Sequence, residues 1–218
     1  MCQFLSAIAT RDGRIICKPE ATDHHHELLL DAGIPDDKPA GQQNFVRFEL
    51  KTDDPTQLAD PDAYKLVLDE TSRPAWYDEA MEFDVADQLR DRVRAMIVTD
   101  DRPILLGGVW ILAEGATVAE TKNCRIVAML GNAHVGGMWD SSKVGEMRGS
   151  SNVGEMRGSS KVGVMRGSSK VGVMRESSKV GGMWDSSKVG EMWQSSNVGG
   201  MWGSSKVSTD YRKTTKGA

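Results

Sequence analysis

One nine-residue unit recurs from Val135 to Val207 with little change: VGGMWDSSK, VGEMRGSSN, VGEMRGSSK, VGVMRGSSK, VGVMRESSK, VGGMWDSSK, VGEMWQSSN, VGGMWGSSK. A weaker copy, Ile126 to His134, precedes it. Short self-similarity sustained over this length is the signature of a repeat architecture, in which a unit that cannot bury its apolar side alone buries it against its neighbours. With the unit numbered from its Val, position 1 is Val from Val135 to Val207, and position 4 is Met from Met129 to Met201. Nine of the twelve methionines therefore lie on one lattice. Gly holds position 2 and Ser-Ser positions 7 and 8 in eight copies, whereas positions 3, 5, 6 and 9 vary.

Nine is a poor helical period, and Val, Gly and Ser all disfavour helix. A short strand followed by a Gly/Ser turn fits better. Identical strands stacked about 4.8 Å apart make a parallel β-solenoid, a β-helix or β-roll. Nine extended residues reach about 30 Å. Two sheet faces about 10 Å apart leave almost none of that length for two strands. Two repeats per coil is therefore the smallest comfortable solution, and three, a triangular coil, also fits. Val and Met belong inside, so the expected core includes Val144, Met147, Val153, Met156, Val162, Met165, Val171 and Met174. Charged positions 3, 5 and 9 belong outside. Positions 1 and 4 have opposite strand parity, which calls for a bulge or bend at the position-2 Gly.

A nonapeptide calcium roll needs a ladder of Asp, and only Asp140, Asp185 and Glu176 put acids at position 6. The Met column reads as core filling rather than soft-metal binding, and Ser-Ser as a turn. No cofactor or metal is expected. The informative variable site is position 5: Leu130, Trp139, Arg148, Arg157, Arg166, Arg175, Trp184, Trp193, Trp202, Tyr211. Position 3 changes with it. Gly137, Gly182 and Gly200 precede Trp by two residues, and Glu146 and Glu155 precede Arg by two. Same-strand neighbours two apart share a face, so a ring can lie over Gly and Glu can pair with Arg.

At 218 residues the chain makes one or two domains. No apolar run nears the roughly 20 residues of a membrane span, and the start MCQFLSAIATRDGR does not read as a secretory signal. Three widely spaced Cys make no disulfide framework. The expected compartment is the cytoplasm, with no membrane partner. Residues 134–218 carry 13 Lys+Arg against 7 Asp+Glu, and residues 1–133 carry 14 against 24. Most charge on a repeat surface solvates it; the basic part could also meet nucleic acid.

The first part reads as a small α+β head, residues 1–103. Phe4–Ala9 and Ile15–Cys17 form a hairpin about Asp12-Gly13. A helix capped by Thr22-Asp23 runs to Ala32. Asn44–Lys51 and Tyr64–Asp69 are strands, and Pro74–Val98 is mostly helix with a stripe of Ala80, Phe83, Leu89, Val93, Met96 and Ile97. Residues 104–207 then form the solenoid, with irregular coils over 104–133 and regular repeats over 134–207, and 208–218 is a polar tail.

Candidate chemistry is thin. Removal of Met1 would expose Cys2, the arrangement of N-terminal-nucleophile hydrolases, but Gln3-Phe4-Leu5 follows where Gly is typical. His24-His25-His26 point in different directions on a helix and read as exposed first-turn residues. Asp36-Asp37 and Asp100-Asp101 read as turns. There is no phosphate-binding loop, dinucleotide fingerprint or Cys-x-x-Cys. The chain is thus expected not to be an enzyme.

The segments MCQFLSAIATRDG, ADPDAYKLVLDE, RPAWYDEA and MIVTDDRPILLGGVWILAEGAT, about residues 1–130, resemble a set of uncharacterised phage and bacterial metagenomic proteins that join an α+β head to short variable repeats. The resemblance implies a phage or mobile-element setting and no activity. The solenoid is similar in concept to pentapeptide-repeat DNA mimics but departs in its period of nine and its net basic surface. The residues point to a non-catalytic interaction protein that self-associates through its C-terminal coils. Trp184, Trp193, Trp202 and Tyr211 form the expected interface, with another protein as a further possible partner. Nucleic acid held by Arg148, Arg157, Arg166 and Arg175 with Trp stacking is the alternative.

Overall fold

A computed structural model describes residues 5–22, 24–39 and 42–213. The chain divides into two compact units, Met1–Ala95 and Met96–Ala218. In the first, strands β1 (Leu5–Thr10), β2 (Ile15–Ile16), β3 (Phe45–Lys51) and β4 (Lys65–Leu68) form an antiparallel sheet in the order β2-β1-β3-β4. The Asp-Gly turn closes the hairpin as its composition requires, with Gly13 at φ 83°. Helix α1 (His25–Asp31) buries Leu28 and Leu29 against Ile8 and Phe45. The cap expected from Thr22 does not form: the N-cap is His24, with no side-chain cap bond, because Thr22 Oγ1 accepts from the His24 amide at 3.0 Å, ahead of the helix; Asp23 lies outside the described residues.

Helix α2 (Glu79–Met96) starts later than expected, because Asp78 Oδ1 accepts from the Met81 amide at 2.9 Å as a cap. Val85, Ala86, Leu89, Val93 and Met96 are its buried face. Ala80 and Phe83, expected in that stripe, are both exposed, Phe83 by 70%. Phe83 stands two residues before Val85, about 200° round a helix of 3.6 residues per turn, so it faces away.

The second unit is a parallel β-solenoid of two seven-stranded sheets. The odd-numbered sheet holds β5 (Ile97–Val98), β7 (Val109–Leu112), β9 (Arg125–Met129), β11 (Lys143–Met147), β13 (Lys161–Met165), β15 (Lys179–Met183) and β17 (Asn197–Met201). The even-numbered sheet holds β6 (Arg102–Leu106), β8 (Thr117–Lys122), β10 (His134–Trp139), β12 (Asn152–Met156), β14 (Lys170–Met174), β16 (Lys188–Met192) and β18 (Lys206–Asp210). Val135 pairs with Val153 and Val144 with Val162, so two repeats, 18 residues, make one coil. The triangular coil does not form, because two strands with their turns already enclose a filled core.

The expected core residues Val144, Met147, Val153, Met156, Val162, Met165, Val171 and Met174 are all 0–1% exposed. The parity problem is solved at position 2. Positions 9, 1, 3 and 4 pair across every regular ladder and position 2 drops out. The slot admits almost no side chain: a Cβ on Gly172 would lie 2.5 Å from the Gly154 carbonyl oxygen. Residues with a Cβ take it only in the outer coils, at Pro103, Ala119, Val127 and Ser208. At the turn, the position-8 amide donates to the position-5 carbonyl, as from Ser151 to Arg148 at 3.2 Å. Position 6 has positive φ throughout, from 55° at Glu176 to 69° at Gly203, which accounts for its mixture of Gly, Asp, Glu and Gln.

The first coils are irregular. Val118 pairs with Val135 after 17 residues, and the ladder shifts between Trp110 and Ile111. The solenoid takes its first strand ahead of the expected boundary at 103–104, because β-branched Ile97-Val98 leave the helix to pair with Ile111-Leu112. At the other end Ser208–Asp210, expected in the tail, complete β18, and Tyr211–Lys213 form a 3-10 turn.

Candidate functional site

Stacking two repeats per coil turns position 5 into two vertical columns. In the odd sheet, backbone bonds from Arg148 to Met129, Arg166 to Met147, Trp184 to Met165 and Trp202 to Met183 set these residues one above another. In the even sheet the same bonds align Trp139, Arg157, Arg175 and Trp193, and Tyr211 continues the column as the next ring on Trp193. The planar groups stack. Trp184 and Trp202 lie 4.3 Å apart at 13°, and Trp193 and Tyr211 lie 4.1 Å apart at 21°. Below them Arg166 lies over Trp184 at 5.6 Å, Arg175 over Trp193 at 5.4 Å and Arg157 over Trp139 at 5.2 Å. The expected interface residues thus make two stacks, one per sheet. They do not gather into one patch, because consecutive repeats alternate between sheets.

The Arg charges are spent locally. Glu146 bonds Arg148 in its own repeat and Arg166 one coil on, each at 2.8 Å, and Glu155 does the same with Arg157 and Arg175. Burial pushes the Glu155 carboxyl up, but the bonds from Arg157 and Arg175 outweigh it and hold the group below its ordinary 4.5. Glu191 instead accepts from the Trp193 indole at 2.9 Å. Gly137 makes room for its ring: a Cβ there would stand 2.9 Å from Trp139. The ring faces and guanidinium planes are therefore largely occupied within the columns.

Two surface features remain. Position-9 cations stand in register on the odd sheet (Arg125, Lys143, Lys161 and Lys179), all exposed and with no acidic partner among the described residues. The second is the last coil. Val and Met are 0–1% exposed up to Val189 and Met192, but Met201 is 43% and Trp202 47% exposed, and Val198 and Val207 are half-buried. Asp210 takes the slot opposite Met192, where a position-4 Met would continue the column. Arg212 pairs with it at 2.6 Å and donates to the Ser196 carbonyl at 3.0 Å. This polar pair takes the place of the apolar column at the end of the even sheet, and among the described residues no strand pairs with the outer edge of β17 or of β18.

Elsewhere, Cys2 lies outside the described residues. Burial pushes the Cys17 thiol up to about 11 and raises that of Cys124, which disfavours the nucleophilic thiolate. His25 is not an exposed first-turn residue. Its side chain is 12% exposed, with Nε2 2.8 Å from the Phe48 carbonyl and Nδ1 3.2 Å from Asp69. Among the described residues no group of three His, Cys, Asp or Glu could hold a metal ion, and no helix is long and apolar enough to cross a membrane. The position-8 serines escaped the sequence reading. Ser151, Ser160, Ser169, Ser178, Ser187 and Ser196 are buried, and among the described residues their hydroxyls have no hydrogen-bond partner. No protein-family model, curated protein or solved structure matches this chain.

Proposed function

We propose that this chain is a non-catalytic assembly protein, a cytoplasmic β-solenoid that binds a second copy of itself through its C-terminal coil. The observation that carries the reading is the abrupt opening of the core: a column that hides every Met through Met192 leaves Met201 43% exposed at an unpaired strand edge. Unpaired edges template strand addition, and contiguous apolar ends favour association. The stacked rings stiffen that end, and Trp202 tops the odd column. Buried, unpaired Cys17 and Cys124 suit a reducing compartment.

Size-exclusion chromatography with light scattering on the full chain and on Met201→Lys tests this. A species heavier than the protomer that reverts to monomer in the variant is expected. A monomer in both rejects the reading.

A second reading, nucleic-acid binding, draws on the exposed cation row Arg125, Lys143, Lys161 and Lys179 rather than the Arg residues, which are held by Glu146 and Glu155. Anisotropy of a labelled single-stranded oligonucleotide should then show log affinity falling with log salt by about 0.7 per phosphate contacted. Salt-independent binding, or none, removes it.

A further inference from the structure

The edge strand β17 is unlike the strands beneath it. Position 9 of the odd sheet is Lys in β11, β13 and β15 and neutral Asn197 in β17, and position 3 there is Gly200. β17, NVGGM, is the one strand from β11 onward with no charged residue. Exposed edges are ordinarily protected by Lys. Here the odd-sheet strands beneath carry the Lys and the β17 edge has none, whereas the even-sheet edge β18 keeps Lys206. Two facing copies of this edge would oppose no like charges.

The opposite end of the solenoid is built the other way. β5 has two residues, too few to match the five of β17. β6 contains Pro103, which has no amide hydrogen to donate and fills the slot that is Gly in the regular coils. The strand opens on Arg102, paired with Asp100 at 2.8 Å. This end resists a strand laid against it.

We infer that the partner of the β17 edge is the β17 edge of a second copy, so that the protein closes as a two-fold, tail-to-tail dimer and does not grow head to tail. The inference rests on the assembly reading above. A two-fold that brings these ends face to face reverses the sense in which the chain circles the coil, so the opposed strands run antiparallel. The contact is then isologous and closed. Head-to-tail stacking would instead seat β17 and β18 on β5 and β6, and would leave an open fibre.

The test is a charge swap across the paired edge, with mass followed by light scattering across concentration. In the antiparallel register Asn197 of one copy opposes Met201 of the other. Asn197→Lys installs the residue the same slot holds in β11, β13 and β15, so the coil tolerates it; Met201→Glu is its counterpart. The wild type should plateau at twice the protomer mass. Each variant alone should dimerise about tenfold more weakly or worse, and an equimolar mixture of the two should recover the dimer. Wild-type mass that climbs past the dimer, with no recovery in the mixture, overturns the two-fold and leaves assembly standing. Variants that dimerise like the wild type also overturn it. A wild-type monomer at every concentration overturns both.

Discussion

A methyl group is enough to test the coil at the scale of one residue. Gly172→Ala places a Cβ 2.5 Å from the backbone oxygen of Gly154, which no rotamer change can relieve. A loss of about 2 kcal/mol is expected in urea unfolding, the scale of core overpacking. The serine beneath each turn predicts the opposite sign. Ser169 is fully buried with a hydroxyl unpartnered among the described residues, so Ser169→Ala should raise the unfolding free energy by about 1 kcal/mol, read as a higher urea midpoint with an unchanged m-value. Sequence marked the position-2 Gly as constrained, because copies of the repeat agree there. It did not distinguish Ser169 from Ser168, since both letters are equally invariant and both suit a turn. Only the direction in which the turn delivers each side chain separates them.

Strands and helices read unevenly, for physical reasons. The hairpin, β3, β4 and the repeat strands carried short-range signals and formed near their expected places. Phe83 was misplaced because an apolar residue near a stripe is not on it unless the 3.6 period agrees. Glu146 and Glu155 were paired correctly with the Arg two residues on. Their second partners, Arg166 and Arg175, follow only from a coil length of 18. That shared carboxylate gives a pH signature. The folded Glu155 is held below its ordinary 4.5, so its contribution is fully present above that value and is lost as pH falls through the lowered one. Replacing it by Gln should lower stability near neutral pH and flatten the loss between about pH 5 and pH 3. An acid titration followed by circular dichroism compares the two. Equal slopes would mean the bridges contribute nothing.

For the molecule as a whole, the two-sheet solenoid was legible because period, strand reach and sheet spacing left few solutions. The asymmetry of its ends was not. It lies in one Asn for Lys, one Pro and one Asp for Met, each unremarkable until the coils are stacked and the edges are known. On the assembly proposed above, that asymmetry makes the C-terminal coil the place of association. Amide hydrogen exchange by mass spectrometry, at dilute and concentrated protein, addresses this directly. The account predicts that residues 197–210 gain protection as concentration rises while 97–106 do not change. Exchange independent of concentration throughout, or protection that appears at 97–106, would contradict it.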